Sequence, residues 1–101
     1  MKRSTLALIA ALAACATTDP PEAQMAAARA MVAQARPLAE KEAPFELAAA
    51  QGKLARAETA MQRGHYEHAR MLAEQADADA RLAWSASESA RLRMELEKAR
   101  Q

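Results

Sequence analysis

The segment from Tyr66 to Gln101 contains no proline and no glycine, and this feature constrains the fold more than any other. Small or apolar residues recur along it at intervals of three and four, which places them on one face of an α-helix. These residues are Tyr66, Ala69, Ala73, Ala76, Ala80, Ala83, Ser87, Ala90 and Met94. Because this seam is nearly all alanine, a second helix can approach at the close end of the usual distance of about 8–10 Å. The stretch therefore predicts one long helix packed against another.

A second helix is predicted just before it. Pro44 suits the first turn of a helix, Glu46 favours the positive end of the helix dipole, and Gly64 suits the position after the last turn. Its apolar seam repeats every seven residues with alanines between. The seam consists of Leu47, Ala50, Leu54, Ala57 and Met61. The two helices should form an antiparallel hairpin that bends at Gly64 and His65.

This bend also predicts which residues face each other. If the chain turns between positions 64 and 65, the numbers of facing residues sum to about 129. Leu47 then faces Leu82, and Phe45 lies opposite Trp84 at the far end of the hairpin. We expect these two aromatic side chains to be in contact.

A further helix is predicted near the N-terminus. The run Asp19-Pro20-Pro21-Glu22 resembles a helix start, with the aspartate as N-cap, the first proline at N1 and the glutamate at N3. Pro37 should end this helix near Arg36, because proline removes a backbone donor. Residues 38–43 could form a further helical turn or two before Pro44. A weak apolar stripe runs along it, formed by Met25, Ala28, Met31, Val32 and Ala35.

The predicted fold is all-α: an elongated antiparallel helical hairpin with an additional N-terminal helix, over residues 22–101. Thirty of the 101 residues are alanine, so a thick core is out of reach although 51% of the chain is hydrophobic. We expect a broken hairpin, in which residues 85–101 pass Pro44 and bring Leu92 near Leu38, rather than the alternative of a compact three-helix bundle.

The first residues have the layout of a secretory signal. Lys2 and Arg3 precede an apolar run from Leu6 to Ala14, which is too short to span a bilayer. The last three residues of this run and the next residue, Leu12-Ala13-Ala14-Cys15, resemble the lipobox of bacterial lipoproteins. That resemblance implies cleavage between Ala14 and Cys15, removal of residues 1–14, acylation of Cys15 with chains such as palmitate, and a tether over residues 15–21. The alternative is an ordinary signal peptide cut after Ala16.

Lipidation would consume the only cysteine, which cannot form an internal disulfide. Since Ala16 rather than aspartate follows it, the resemblance to lipoproteins implies the periplasmic face of the outer membrane of a Gram-negative bacterium. Without Lys2 and Arg3, the 14 basic residues fall to 12 against 13 acidic ones. A nearly neutral chain argues against nucleic acid as a partner.

No group of residues indicates catalysis, a metal site or a cofactor. His65 and His68 could reach one ion, but zinc needs three or four ligands and no further histidine or cysteine is available. Asp77 and Asp79 lie on different faces of a helix, and the nearby serines have no accompanying base. We therefore expect that the protein is not an enzyme.

Residues 43–83 resemble a bacterial envelope family, domain of unknown function 4398. The shared features are Ala43-Pro44, Lys53-Leu54, a turn with Gly64, Tyr66 and Ala69, and the continuation from Ala76 to Ala80. The resemblance implies a helical protein of the cell envelope with no established activity. We expect a structural or adaptor lipoprotein that docks a protein partner. The alternatives are a self-associating coiled coil and, less favoured, a module that binds a small ligand or a metal.

Overall fold

The computed structural model describes residues 19–101, and this part of the chain forms three helices. Helix α1 covers Glu22–Glu42, α2 covers Pro44–Gln62, and α3 covers Tyr66–Arg100. At about 1.5 Å per residue, the 35 residues of α3 extend for roughly 52 Å. The predicted all-α, elongated fold is confirmed. The predicted signal peptide, its predicted cleavage position and Cys15, the predicted lipidation site, lie outside the described residues.

Helices α2 and α3 form the predicted antiparallel hairpin. Ala57 of α2 belongs to the same buried cluster as Leu72 and Ala73 of α3. Farther from the turn, Lys53 Nζ lies 2.7 Å from Asp79 Oδ2. The numbers of these facing residues sum to values near 130, so the register agrees with a bend at Gly64 and His65.

Helix α1 folds back along this hairpin. Arg29 Nε of α1 lies 3.1 Å from Glu58 Oε1 of α2, and Met25 shares a buried cluster with Ala57 and Leu72. The three helices therefore form an up-down-up bundle in which α1 runs parallel to α3. The expectation that the first helix meets the far end of α3 is wrong. A connection of one residue, the buried Ala43, reverses the chain and brings the stripe of α1 onto both other helices.

The ends of α1 differ from the sequence prediction. Pro37 lies inside the helix, which continues to Glu42. Its side chain points to solvent, whereas Ala35 and Ala39 on the inner face are fully buried. Packing of this inner face outweighs the lost hydrogen bond, so the predicted end near Arg36 is wrong. The helix begins at Glu22 with Pro21 at the N-cap, and no side chain among residues 19–101 caps it. The predicted aspartate cap is therefore also wrong.

The core is a thin seam of small residues. Among the buried apolar residues of the described part of the chain, only Met25, Met31, Val32, Leu47 and Leu72 are larger than alanine. Every small residue of the predicted α3 seam from Ala69 to Ser87 is buried. The seam then ends: Ala90 is half-buried, and residues 91–101 are all exposed.

The predicted contact between Phe45 and Trp84 is wrong. Phe45 leaves 86% of its surface exposed, while Trp84 packs partly against the core. The register is right, but Phe45 lies two positions before the buried Leu47. Two positions correspond to about 200° around a helix, so Phe45 and Leu47 point to opposite sides of α2. Leu82 is also exposed: the next residue, Ala83, lies on the inner face of α3, so Leu82 points away from that face.

Candidate interaction surfaces

The turn between α2 and α3 is a Schellman motif built on a glycine. Gly64 has a φ of 74°, a conformation that costs other residues energy. The His65 N–H donates to the Ala60 carbonyl at 2.9 Å, and the Gly64 N–H donates to the Met61 carbonyl at 3.1 Å. Just after the turn, Tyr66 begins α3, and Ala69 is completely buried behind it. The turn thus fixes the antiparallel arrangement of the two helices.

A shallow depression of about 180 Å³ lies beside this turn. Its lining consists of Arg56, Thr59, Ala60, Arg63, His65 and His68. Both histidines are exposed, and the described residues contain no cluster of three or more histidine, cysteine or acidic side chains that could hold a metal. The depression is open to solvent and lined by Arg56 and Arg63, so it can attract anions but does not enclose a ligand.

Two carboxylates in the first turns of α3 are paired with one arginine. Arg70 bonds to Glu67 and, at 2.9 Å, to Glu74. The hydrogen bond and the charge of Arg70 hold the pKa of Glu67 below its ordinary value, and the same contacts raise the pKa of Arg70. These groups are exposed and form a solvated surface of the bundle.

The polar residues considered for catalysis do not converge. The Arg81 Nε–H donates to Asp77 Oδ2 at 3.2 Å, and Asp79 is paired with Lys53 of α2. Asp77 Oδ1 is buried without a partner among the described residues. The buried Ser87 donates its hydroxyl to the Ala83 carbonyl at 2.6 Å, so it is engaged within its own helix.

The last ten residues of α3 form a free end. Residues 91–100 are helical but exposed throughout, and they extend about 15 Å beyond the buried seam. Met94 continues that seam and remains 47% exposed. This free end lies opposite the turn, because α1 and α2 meet beside the residues where the seam of α3 finishes.

A second exposed surface, which the sequence analysis missed, runs along the back of α3. We call it the outer face. Its members alternate by three and four and are all exposed: Leu82, Ser85, Ser89, Leu92, Leu96 and Ala99. Leu92 follows the buried Ala83 by nine residues, which is two and a half helical turns, so the outer face points away from the bundle. The spacing of its three leucines was the signal that could have revealed it.

No helix among the described residues has the length and hydropathy needed to cross a membrane. Fold and surfaces together define a small three-helix bundle whose long third helix presents a free end and an outer face. The chain belongs to the family described as domain of unknown function, DUF4398, whose model matches residues 23–99. The match includes α1, so it extends beyond the segment that carried the resemblance in the sequence. No curated protein and no solved structure matches the chain.

Proposed function

We propose that the protein is a lipid-anchored, non-catalytic module of the bacterial cell envelope that acts as a structural or adaptor element. The free end of α3 carries the proposal. A helix that continues for ten residues past its packing partners, with Met94 still on its inner side, offers a ready surface for a helix of another protein. A catalytic role has no comparable support from the described side chains.

The position of the proposed anchor suits this role. Helix α1 begins at Glu22, at the same end of the bundle as the turn around Gly64. A lipid on Cys15 would therefore hold the turn towards the outer membrane and direct the free end of α3 away from it. The tether of seven residues, 15–21, has a maximal reach of about 25 Å. The free end would then stand in the periplasm, where a protein partner can reach it.

The anchor is tested with the Cys15→Ser variant. We expect this chain to remain unprocessed or to appear in the soluble fraction, whereas a Thr17→Ser control fractionates with membranes. Incorporation of a labelled fatty acid should also be lost in the first variant only. Membrane fractionation of Cys15→Ser like that of the control would overturn the lipid anchor. N-terminal sequencing of a mature chain starting after Ala16 would instead establish the ordinary signal peptide.

The adaptor role is tested with a photo-crosslinking residue at position 94 in cells. We expect an adduct with one defined envelope protein, and no such adduct from the exposed position 55 on α2. Adding a Leu92→Lys substitution, which alters the outer face but not position 94, should preserve this adduct. Crosslinking only between copies of this chain, or equal patterns from both positions, would contradict the adaptor role.

The alternative of a small-ligand or metal module has one supporting feature, the depression beside the turn. Its open shape and the small number of ligating groups make it a weak candidate, because ligand sites are typically enclosed and lined by apolar side chains. We therefore favour the adaptor role.

A further inference from the structure

We propose that two copies of this chain pair in parallel through the outer face of α3, over residues 81–100. The outer face has the alternating three- and four-residue spacing of positions a and d in a coiled coil. Leu82, Ser89 and Leu96 occupy a positions, whereas Leu92 and Ala99 occupy d positions. Two of the helices can therefore pack knobs into holes along this line.

The leucines of the outer face are exposed, so a second copy of the chain can pack on them. Leu82, Leu92 and Leu96 are 58%, 52% and 63% exposed. They are three of the six large apolar side chains that the described part of the chain leaves exposed. Since the outer face points away from α1 and α2, a second copy can cover it without disturbing either bundle.

The flanking charges identify the occupant as a second copy in parallel orientation. Glu88 and Glu95 occupy g positions, and Arg93 and Arg100 occupy e positions. In a parallel pair, each g residue approaches the e residue five positions later in the other chain. Glu88 then meets Arg93 of the other copy, and Glu95 meets its Arg100. An antiparallel pair would bring glutamates to glutamates and arginines to arginines.

Intrachain contacts do not prevent this pairing. Arg91 lies at a c position, where it remains outside the interface, and it approaches Glu88 at 3.7 Å and Glu95 at 3.9 Å. These are long, exposed ion pairs that contribute little to the free energy of folding. The same glutamates can therefore reach the arginines of a second chain while Arg91 stays beside them.

The paired segment is short, so the association should be weak in solution. Leu82 to Ala99 covers about 27 Å of helix, and two serines interrupt its apolar line. Such an interface falls in the small class, below about 1,200 Å² of buried surface. Copies held on one membrane would be concentrated and would point α3 in the same direction. This last point depends on the proposed anchor, whereas pairing in solution does not.

The pairing is tested by sedimentation of the full-length Cys15→Ser chain over a wide concentration range. We expect a monomer at low concentration and a dimer as the concentration rises. Met94→Lys should leave this equilibrium unchanged, which separates pairing from the adaptor surface. A monomer at all concentrations up to about 0.5 mM, a range that covers weak complexes, would overturn the proposal.

Charge reversal tests the flanking pairs. A chain with Glu88→Arg and Glu95→Arg should dimerise about tenfold more weakly or worse, as should a chain with Arg93→Glu and Arg100→Glu, because like charges then meet. An equimolar mixture of the two should recover the dimer. Circular dichroism of each chain should be unchanged, since all four positions lie at the surface. Unaltered dimerisation of both reversed chains would contradict the proposed pairing.

Orientation is tested by oxidation of single cysteines in the same Cys15→Ser background. In a parallel pair Leu92 faces its own counterpart, so Leu92→Cys should form a disulfide dimer quickly, while Glu97→Cys on another side of α3 should not. Leu82 and Ala99 lie at opposite ends of the outer face and meet only in an antiparallel pair, so preferential crosslinking in a mixture of Leu82→Cys with Ala99→Cys would overturn the proposal. Failure of the lipid-anchor test would leave all these results unaffected.

Discussion

The Arg29 guanidinium lies 3.1 Å from the Glu58 carboxylate, and this ion pair joins α1 to α2 across 29 positions of sequence. Both side chains are about half exposed, so the pair contributes at most about 1 kcal/mol. The ion pair shows that α1 packs alongside α2 and does not extend the hairpin beyond its end. This arrangement covers the alanine seam on two sides, while no other described residue packs on the last ten residues of α3.

The turn glycine should be required for full stability. We expect Gly64→Ala to lower the free energy of unfolding by about 1 kcal/mol, because a Cβ is disfavoured at positive φ. An added Cβ would meet no atom within 4 Å, so the cost is conformational. Gly52→Ala, inside α2 and equally unobstructed, should raise stability by about 0.5–1 kcal/mol. Urea denaturation measures both, and effects of the same sign would refute the prediction.

The alanine seam should resist enlargement. Ala57 is completely buried where α2 meets both other helices, so Ala57→Leu should cost about 1–3 kcal/mol through overpacking. Ala55, two residues away on the same helix, is exposed. Leucine at position 55 should change stability by no more than about 0.5 kcal/mol. Thermal denaturation of the two variants provides the comparison, and a neutral result for Ala57→Leu would mean that the helices are farther apart than described.

Removing the proline inside α1 should stabilise the protein. Pro37→Ala restores a backbone donor in the middle of an exposed helical turn, and we expect a gain of about 1–3 kcal/mol. Pro44 stands in the first turn of α2, where its missing donor costs nothing. Pro44→Ala should therefore have little effect. A loss of stability in Pro37→Ala would show that the bundle needs a bend at this position.

Acid should weaken the contact between Glu67 and Arg70. The pKa of Glu67 in the folded chain lies below its ordinary value of 4.5. The stabilisation from this contact is therefore fully present above pH 4.5 and is lost as the pH falls through the lowered value. Titration of the Glu67 carboxyl by NMR should show this depression, and Arg70→Gln should abolish most of it. Arg91→Gln, far along α3, should leave the titration unchanged.

Periodicity predicted the inner face of α3 because helical spacing alone decides which residues share a side. The residues from Ala69 to Ser87 show this most clearly, since the structure buries every seam position among them. The extent of α1 could not be predicted in the same way. Whether Pro37 ends a helix depends on the packing gained by continuing, and this gain comes from residues far away in sequence.

The outer face was present in the sequence but less visible than the alanine seam. Serines separate Leu82 from Leu92 and Leu96, so the common side of the three leucines emerges only when a seven-residue spacing is applied to the whole helix. The exposure of Phe45 was missed for a simpler reason. The bend predicted the position of Phe45 along the hairpin correctly. The side of α2 on which Phe45 lies is determined by its distance of two positions from the buried Leu47.

The thin core also governs how the protein responds to temperature. Alanine methyl groups carry little apolar surface, so unfolding exposes less of it per residue than in an ordinary domain. The heat capacity of unfolding should therefore fall below the usual value of about 12–15 cal/mol/K per residue. A small heat capacity change flattens the curve of stability against temperature. The bundle should consequently keep a nearly constant, modest stability from cold surroundings to warm ones.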